Sequence, residues 1–369
     1  MGVRILGIES SCDETAAAVV EDGRIILSNV VASQIEVHRR YGGVVPELAS
    51  REHLRQIVPV VREAMALAGL QWKDLDAIAV TAGPGLVGAL LVGITYGKTM
   101  AQALGKPLIA VNHLDGHVHA VFLEAHAAGR IAKLPAICLI VSGGHTVLYE
   151  VKAGESELLE YRAIGRTRDD AAGEAYDKVA KLLGLGYPGG PILDKLAGAA
   201  GKVAAPIKFG PTKTRGNPLD FSFSGIKTAV LYHLREHPEY TEEIAARRVA
   251  LEQGERTFEQ LLPRCGQQTL GLVREFQNAV VRDLVERTMA AAEELSVESI
   301  FVSGGVAANS QLRSTFLTRA GERGMDVFFP SRALSTDNAA MIAAAAYPRL
   351  RSALVADLRL DAEPGLRLC

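Results

Sequence analysis

Short apolar runs alternate along the chain with longer stretches in which apolar residues recur every third or fourth position. Residues 3–9 form an apolar run, a Ser-rich polar turn follows, and a second run spans Ala16 to Val20. Gly23 leads into a third run over 24–33. Such runs, bounded by turn residues, predict strands. Within 34–70 a Gly-Gly loop precedes Leu54, Ile57, Val58, Val61, Ala64 and Met65, whose spacing predicts the apolar face of a long amphipathic helix. Gly69 is its expected stop. Residues 76–105 predict a strand, a glycine turn and a buried helix, and Lys106 to Val111 a further strand. The longest uncharged stretch, Thr81 to Gly97, is short for a membrane span and rich in Gly.

From residue 136 the pattern repeats. In 136-AICLIVSGGHTVLYEV-151 an apolar strand, a Ser-containing turn, Thr and a second strand echo the N-terminus. Residues 299–324 repeat strand, double Gly and helix, and 326–346 repeat strand, loop, Asn and helix, matching 106–127. Repeated units of this size predict two related halves facing each other across a cleft. The expected division is an N-terminal lobe over 1–130 and a C-terminal lobe over 131–345. Residues 346–369 are expected to form a peripheral tail. Within the C-terminal lobe, 152–298 is less regular: a charged, poorly patterned segment near 234–268 reads as an insertion, and Leu272 to Leu295 as an amphipathic helix carrying Val273, Phe276, Val280, Leu284, Val285 and Met289.

Composition narrows the class. Over 369 residues, 48% hydrophobic and 22% charged content is that of an ordinary globular protein. Forty basic against forty-two acidic side chains leave a net charge of −2, so no global field attracts nucleic acid. Cys12, Cys138, Cys265 and Cys369 are widely spaced and form no CxxC pair, which fits a reducing, cytoplasmic setting without disulfides or a zinc knuckle.

The candidate chemistry centres on 112-NHLDGHVHA-120, where His113 and His117 stand four apart after a predicted strand. On a helix, i and i+4 share a face, so the two imidazoles can grip one transition metal with positions left open. The duplication sets the 334-LSTDN-338 loop opposite them and makes Asp337 the third ligand. Turns such as 142-SGGHT-146 and 303-SGG-305 let backbone N–H groups approach a phosphate, and neither is a Walker loop. Carboxylates in 12-CDET-15 and 168-RDDAAGEAYDK-178 face the same expected cleft. For Asp169 and Asp170 an ordinary helix start explains the charge as well as a functional role does.

Together 8-IESSCDET-15, 42-GGVVPELASREH-53, 82-AGPGLVGALLVG-93, 113-HLDGH-117, 141-VSGGHT-146, 169-DDAAGEAYDK-178, 187-YPGGP-191, 221-FSFSGIKT-228, 303-SGGVAAN-309 and 336-TDNAAMIA-343 resemble the bacterial TsaD branch of the tRNA N6-threonylcarbamoyladenosine transferase family, over nearly the whole chain. The resemblance implies an α/β, duplicated actin-like ATPase (ASKHA) fold, two lobes around a central cleft. It also implies transfer of a threonylcarbamoyl group from threonylcarbamoyl-AMP to N6 of adenosine 37 in tRNAs reading ANN codons. By the same resemblance His113, His117 and Asp337 match iron ligands (one Fe2+ per chain, with Zn2+ able to occupy such a site). Ile140, Val141, Ser142, Gly143, Gly144, Asp177, Gly190, Asp194 and Asn309 match substrate-binding positions, and Asp13 and Glu14 the catalytic acidic pair. Two features depart from the family: Asp115 stands where Glu is usual between the histidines, and the 234–268 segment is extra.

A metalloprotease is disfavoured because HExxH needs Glu directly after the first His, where Leu114 stands. A phosphate-handling ATPase of the same fold leaves the His–His–Asp set without a task, and a non-catalytic subunit need not keep it. With no strongly basic face, tRNA binding is expected to be weak in the isolated chain, through patches such as Arg39, Arg40, Arg51 and Arg55. Full activity is expected to need a TsaB-like paralogue and a TsaE-like ATPase, away from any membrane.

Overall fold

The computed structural model describes residues 2–212, 214 and 216–369. Its framework is two five-stranded sheets of one topology. In the first, β1 (Arg4–Glu9), β2 (Glu14–Glu21) and β3 (Ile25–Ser33) form an antiparallel meander, while β4 (Ala77–Gly83) and β5 (Leu108–Asn112) lie parallel to β1 in the order β3-β2-β1-β4-β5. In the second, β6 (Ala136–Val141), β7 (Thr146–Ala153), β8 (Leu159–Arg166), β9 (Ser299–Ser303) and β10 (Asp326–Phe328) repeat that plan as β10-β9-β6-β7-β8. Each strand of the first half has its counterpart in the second, so the duplication read from the sequence is present in the backbone.

Helices follow the same logic. The first half carries α1 (Ile35–Arg39), α2 (Pro46–Ala68), α3 (Val87–Leu104) and α4 (His113–Ala127). The second carries α5 (Ala172–Leu182), α6 (Gly189–Ala199), α7 (Ser224–Glu236), α8 (Tyr240–Glu252), α9 (Phe258–Leu261), α10 (Gln267–Glu294), α11 (Ser310–Gly321), α12 (Arg332–Ser335) and α13 (Ala339–Arg351). The final helix of each half crosses to the other sheet. Leu114, Val118, Val121 and Ala125 of α4 pack with Cys138, Ile140, Phe301 and Phe328 of the second sheet. Ala339 to Ala346 of α13 pack with Ile5, Ala18, Val20, Ala79 and Val111 of the first. This Ala-rich run is buried on every side, as a helix without a polar face must be. Its close approach requires Gly7, where a Cβ would stand 2.4 Å from the Ala339 carbonyl oxygen. The exchange brings the start of α4 and the loop before α13 together between the sheets.

One expectation is corrected here. On α2 the buried stripe is Ile57, Val60, Val61, Ala64 and Met65, whereas Leu54 (65% exposed) and Val58 (39%) face outward. The segment after α13 runs over the surface and is anchored at a few points. Its backbone bonds the first lobe, Ala356 N–H donating to the Leu108 carbonyl at 2.8 Å and Glu363 N–H to Ala82 at 2.9 Å, and Leu368 is buried against α4 and the second sheet. Within the segment near 234–268, Arg247 of α8 is fully buried and donates to the carbonyls of Leu183 at 2.8 Å and Arg264 at 2.7 Å.

Candidate active site

Two capped helix starts build the centre. Asn112 ends β5 and caps α4, its side chain accepting from Leu114 N–H at 2.9 Å, which places His113 and His117 on successive turns of one face. Asn338 caps α13 in the same way, accepting from Met341 N–H at 3.1 Å, and presents Asp337 just ahead of the helix. Asp337 Oδ1 lies 3.5 Å from His113 Nε2 and 3.3 Å from His117 Nε2. The three ligating atoms fall within 4.8 Å of one another.

The donor set fits a transition metal. His117 is fully buried, yet neither ring nitrogen completes a hydrogen bond. A buried, unpaired imidazole costs free energy that an ion between Nε2 and Asp337 would recover. Behind His113, Nδ1 stands 3.0 Å from Glu9 Oε2, and Glu9 also accepts from the Thr81 hydroxyl at 2.7 Å. A carboxylate behind a ligating imidazole fixes its tautomer and aims the other nitrogen outward. Burial works against charge on His113, but Asp337 and Glu9 raise it to about 9 when the three share only protons. Asp337 is held well below the usual carboxylate range by the two histidines, against the effect of burial. Glu9 and Thr81 carried no mark in the sequence beyond their place in apolar strands.

Asp115, between the histidines, turns away from them. It accepts from the Tyr161 hydroxyl at 2.5 Å and from Arg349 at 3.3 Å, and stands 3.1 Å from His119 Nδ1. It ties α4 to β8 and α13.

The acidic pair lies where the β1–β2 turn enters β2, Asp13 in the turn and Glu14 at the start of the strand. Burial and the charges of Asp13 and Asp337 raise Glu14 well above the carboxylate range. His53 of α2 props this turn, pairing with the Thr15 hydroxyl at 2.7 Å and the Cys12 carbonyl at 3.0 Å. Across from it, burial pushes Asp177 up to about 6, with the charge of Asp13 adding to the effect, although Gly189 N–H donates to it at 2.7 Å.

The remaining sites line the second lobe. Ile140 and Val141 are core residues at the end of β6 and offer only backbone. Ser142, Gly143 and Gly144 form the β6–β7 turn, and Gly190 lies in the first turn of α6; at all three glycines a Cβ would meet nothing within 4 Å, so open space lies before them. Asp194 accepts from Ser310 N–H at 3.0 Å, while Asn309 caps α11 and donates to Gln277 at 2.9 Å. Gln277 donates in turn to Asp194 at 3.1 Å, one network sequence reasoning did not find. Asp169 and Asp170 are structural: Asp169 caps α7 through Ser222, Phe223 and Ser224, and Asp170 pairs with Lys178 and Lys227. Of the expected basic patch, Arg39, Arg51 and Arg55 are balanced by Glu36, Glu47 and Glu52.

The family model described as TsaD, tRNA N6-adenosine threonylcarbamoyltransferase, matches residues 25–344. A protein of that name from Koribacter versatilis is 57% identical over 99% of this chain and 98% of its own length. Another from Symbiobacterium thermophilum is 50% identical over 99% and 96%. Among solved structures, HypF from T. kodakarensis covers 95% of this chain and 48% of its own, with a TM-score of 0.52 at 15% identity, a likeness of fold alone.

Proposed function

This chain belongs to the TsaD family of tRNA N6-adenosine threonylcarbamoyltransferases, and on that footing we propose how its cleft carries out threonylcarbamoyl transfer to adenosine 37 of tRNA. The observation that supports the reading is the convergence of His113, His117 and Asp337 beside the acidic turn and the open glycine turns. The donor is threonylcarbamoyl-AMP. Its nucleotide lies along the second lobe, with the Ser142–Gly144 turn and Gly190 giving backbone close to the phosphate, and Asp177, Asp194 and Asn309 orienting the nucleoside. His113, His117 and Asp337 hold one Fe2+ or Zn2+, which when bound supplies Lewis acidity at donor oxygens.

The adenine amine is a weak nucleophile because its lone pair is delocalised into the ring. As N6 attacks the carbamoyl carbon, the bond from that carbon to the phosphate oxygen breaks and AMP leaves with its electron pair. The N6 proton passes to a carboxylate of the turn. Asp13 and Glu14 are the candidate acceptors.

The chain works in the cytoplasm, with tRNA as substrate; among the described residues no helix is long and apolar enough to cross a membrane. A TsaB-like paralogue docks on the face of α2 and α3. There Leu54 with Val58, and Val87 with Leu91, are exposed apolar pairs at i and i+4. A TsaE-like ATPase completes the assembly. The reading is tested by incubating unmodified tRNA, threonylcarbamoyl-AMP and the reconstituted chain with such a paralogue, then digesting the tRNA for nucleoside mass spectrometry. Threonylcarbamoyladenosine at position 37 is expected, and AMP release without that nucleoside would overturn the reading.

A further inference from the structure

His145 has no task in the site as described, yet the fold holds it with care. Its main chain closes the β6–β7 turn in both directions: Ser142 N–H donates to its carbonyl at 2.8 Å, and its own N–H donates to the Ser142 hydroxyl at 3.1 Å. The N-terminus of α5 braces the turn from beneath, Gly173 N–H donating to the Ser142 carbonyl at 3.1 Å and Ala172 N–H to the Thr146 hydroxyl at 2.9 Å. That brace is tight enough to need glycine: a Cβ on Gly173 would stand 2.6 Å from the Ser142 oxygen. The ring sits 6.3 Å, centroid to centroid, from His113, tilted by 42°. Among the described residues the ring makes no hydrogen bond, and its nitrogens do not belong to the cluster formed by His113, His117 and Asp337. It is too far away to share an ion with them and near enough to touch a group that they hold. The neighbouring Gly143 and Gly144 leave open space on the same side.

We propose that His145 contacts the substrate, donating a ring N–H to the carbamoyl oxygen of the threonylcarbamoyl group as N6 attacks and negative charge gathers there. The assignment rests on the transferase reading above. A neutral imidazole suits the task because it offers a donor without adding a cation to the site. A fixed donor aimed at a developing oxyanion contributes roughly 100-fold to 1000-fold in kcat. Because the donor matters more in the transition state than in the ground state, its loss falls on kcat rather than KM.

The test uses the full chain, reconstituted with metal and partners, as wild type, His145→Phe and His145→Asn. Metal content by elemental analysis and AMP affinity by calorimetry are measured beside kcat and KM. We expect His145→Phe to keep metal and AMP binding within about twofold while kcat falls on the order of 100-fold. His145→Asn, whose amide still donates, should recover at least about a tenth of the wild-type rate. A kcat for His145→Phe within twofold of wild type would overturn the assignment, as would loss of the metal in that variant, which would make the ring part of the ion's support. Failure of the wild type itself to form product would count against the transferase reading instead.

Discussion

Replacing Asp115 with Ala separates the architecture of the centre from its chemistry. The carboxylate is buried, with Tyr161 and Arg349 donating to it from β8 and α13. Burial works to raise its pKa, but His119, Arg349 and Tyr161 hold it below the usual value. Removing one partner of a buried ion pair costs about 3–5 kcal/mol. The Arg349 side chain is 29% exposed and keeps some access to water, so the lower end, about 3 kcal/mol, applies. The stranded Tyr161 hydroxyl adds about 1–2 kcal/mol. At about 2.1 cal/mol/K of unfolding entropy per residue, a chain of 369 residues loses roughly 1.3 °C per kcal/mol. The expected fall in Tm is therefore about 5–6 °C, read by scanning calorimetry, with metal content unchanged because the side chain points away from the ligating atoms. Tyr161→Phe alone should cost about 1 kcal/mol, and should cost less in the Asp115→Ala background, where no partner remains to be lost. A variant that unfolds with the wild type, or that sheds metal at an unchanged Tm, would refute this account of Asp115.

Gly144→Val places a branched side chain in the open space before the β6–β7 turn, so AMP affinity by calorimetry should fall at least about tenfold while Tm stays within a degree or two. Glu14→Gln should stabilise the metal-free fold at neutral pH, because the wild-type group has a raised pKa and the folded chain binds the extra proton. The stabilisation should be absent below the ordinary carboxylate range, grow as pH rises through it, and level off above the folded value; an equal Tm gain at all pH values would contradict it. Leu54→Asp should weaken association with the TsaB-like paralogue in sedimentation experiments and leave Tm unchanged, since the side chain is 65% exposed.

The strands, the duplication and the His–His–Asp set were legible because each is local or a repeat. Asn112 and Asn338 cap equivalent helices, and it is this repeated strand–loop–Asn–helix unit that pointed to Asp337. Features that depend on the exchange of α4 and α13 were not legible. Asp115 stood out only as Asp where Glu is usual, since nothing in its neighbourhood along the chain announces Tyr161 or Arg349. Glu9 sits in an apolar strand and gains meaning only when His113 arrives behind it, and His145 was read as part of a turn rather than for its ring. Leu54 and Val58 fit helical spacing, but periodicity cannot tell a face that meets the core from one that meets solvent. The C-terminal segment has no pattern of its own because backbone hydrogen bonds, which carry no side-chain signature, hold it in place.

The central claim is that one ion joins the two halves through His113, His117 and Asp337 and that transfer depends on it. It is tested most directly by measuring metal per chain by elemental analysis, after anaerobic reconstitution with Fe2+, for wild type, His113→Ala, His117→Ala and Asp337→Ala. Threonylcarbamoyladenosine formation and circular dichroism are followed in the same preparations. The account predicts one ion per wild-type chain and, in each variant, metal affinity reduced by more than about 100-fold with product formation lost and the fold retained. Full metal content and normal product in Asp337→Ala would contradict it.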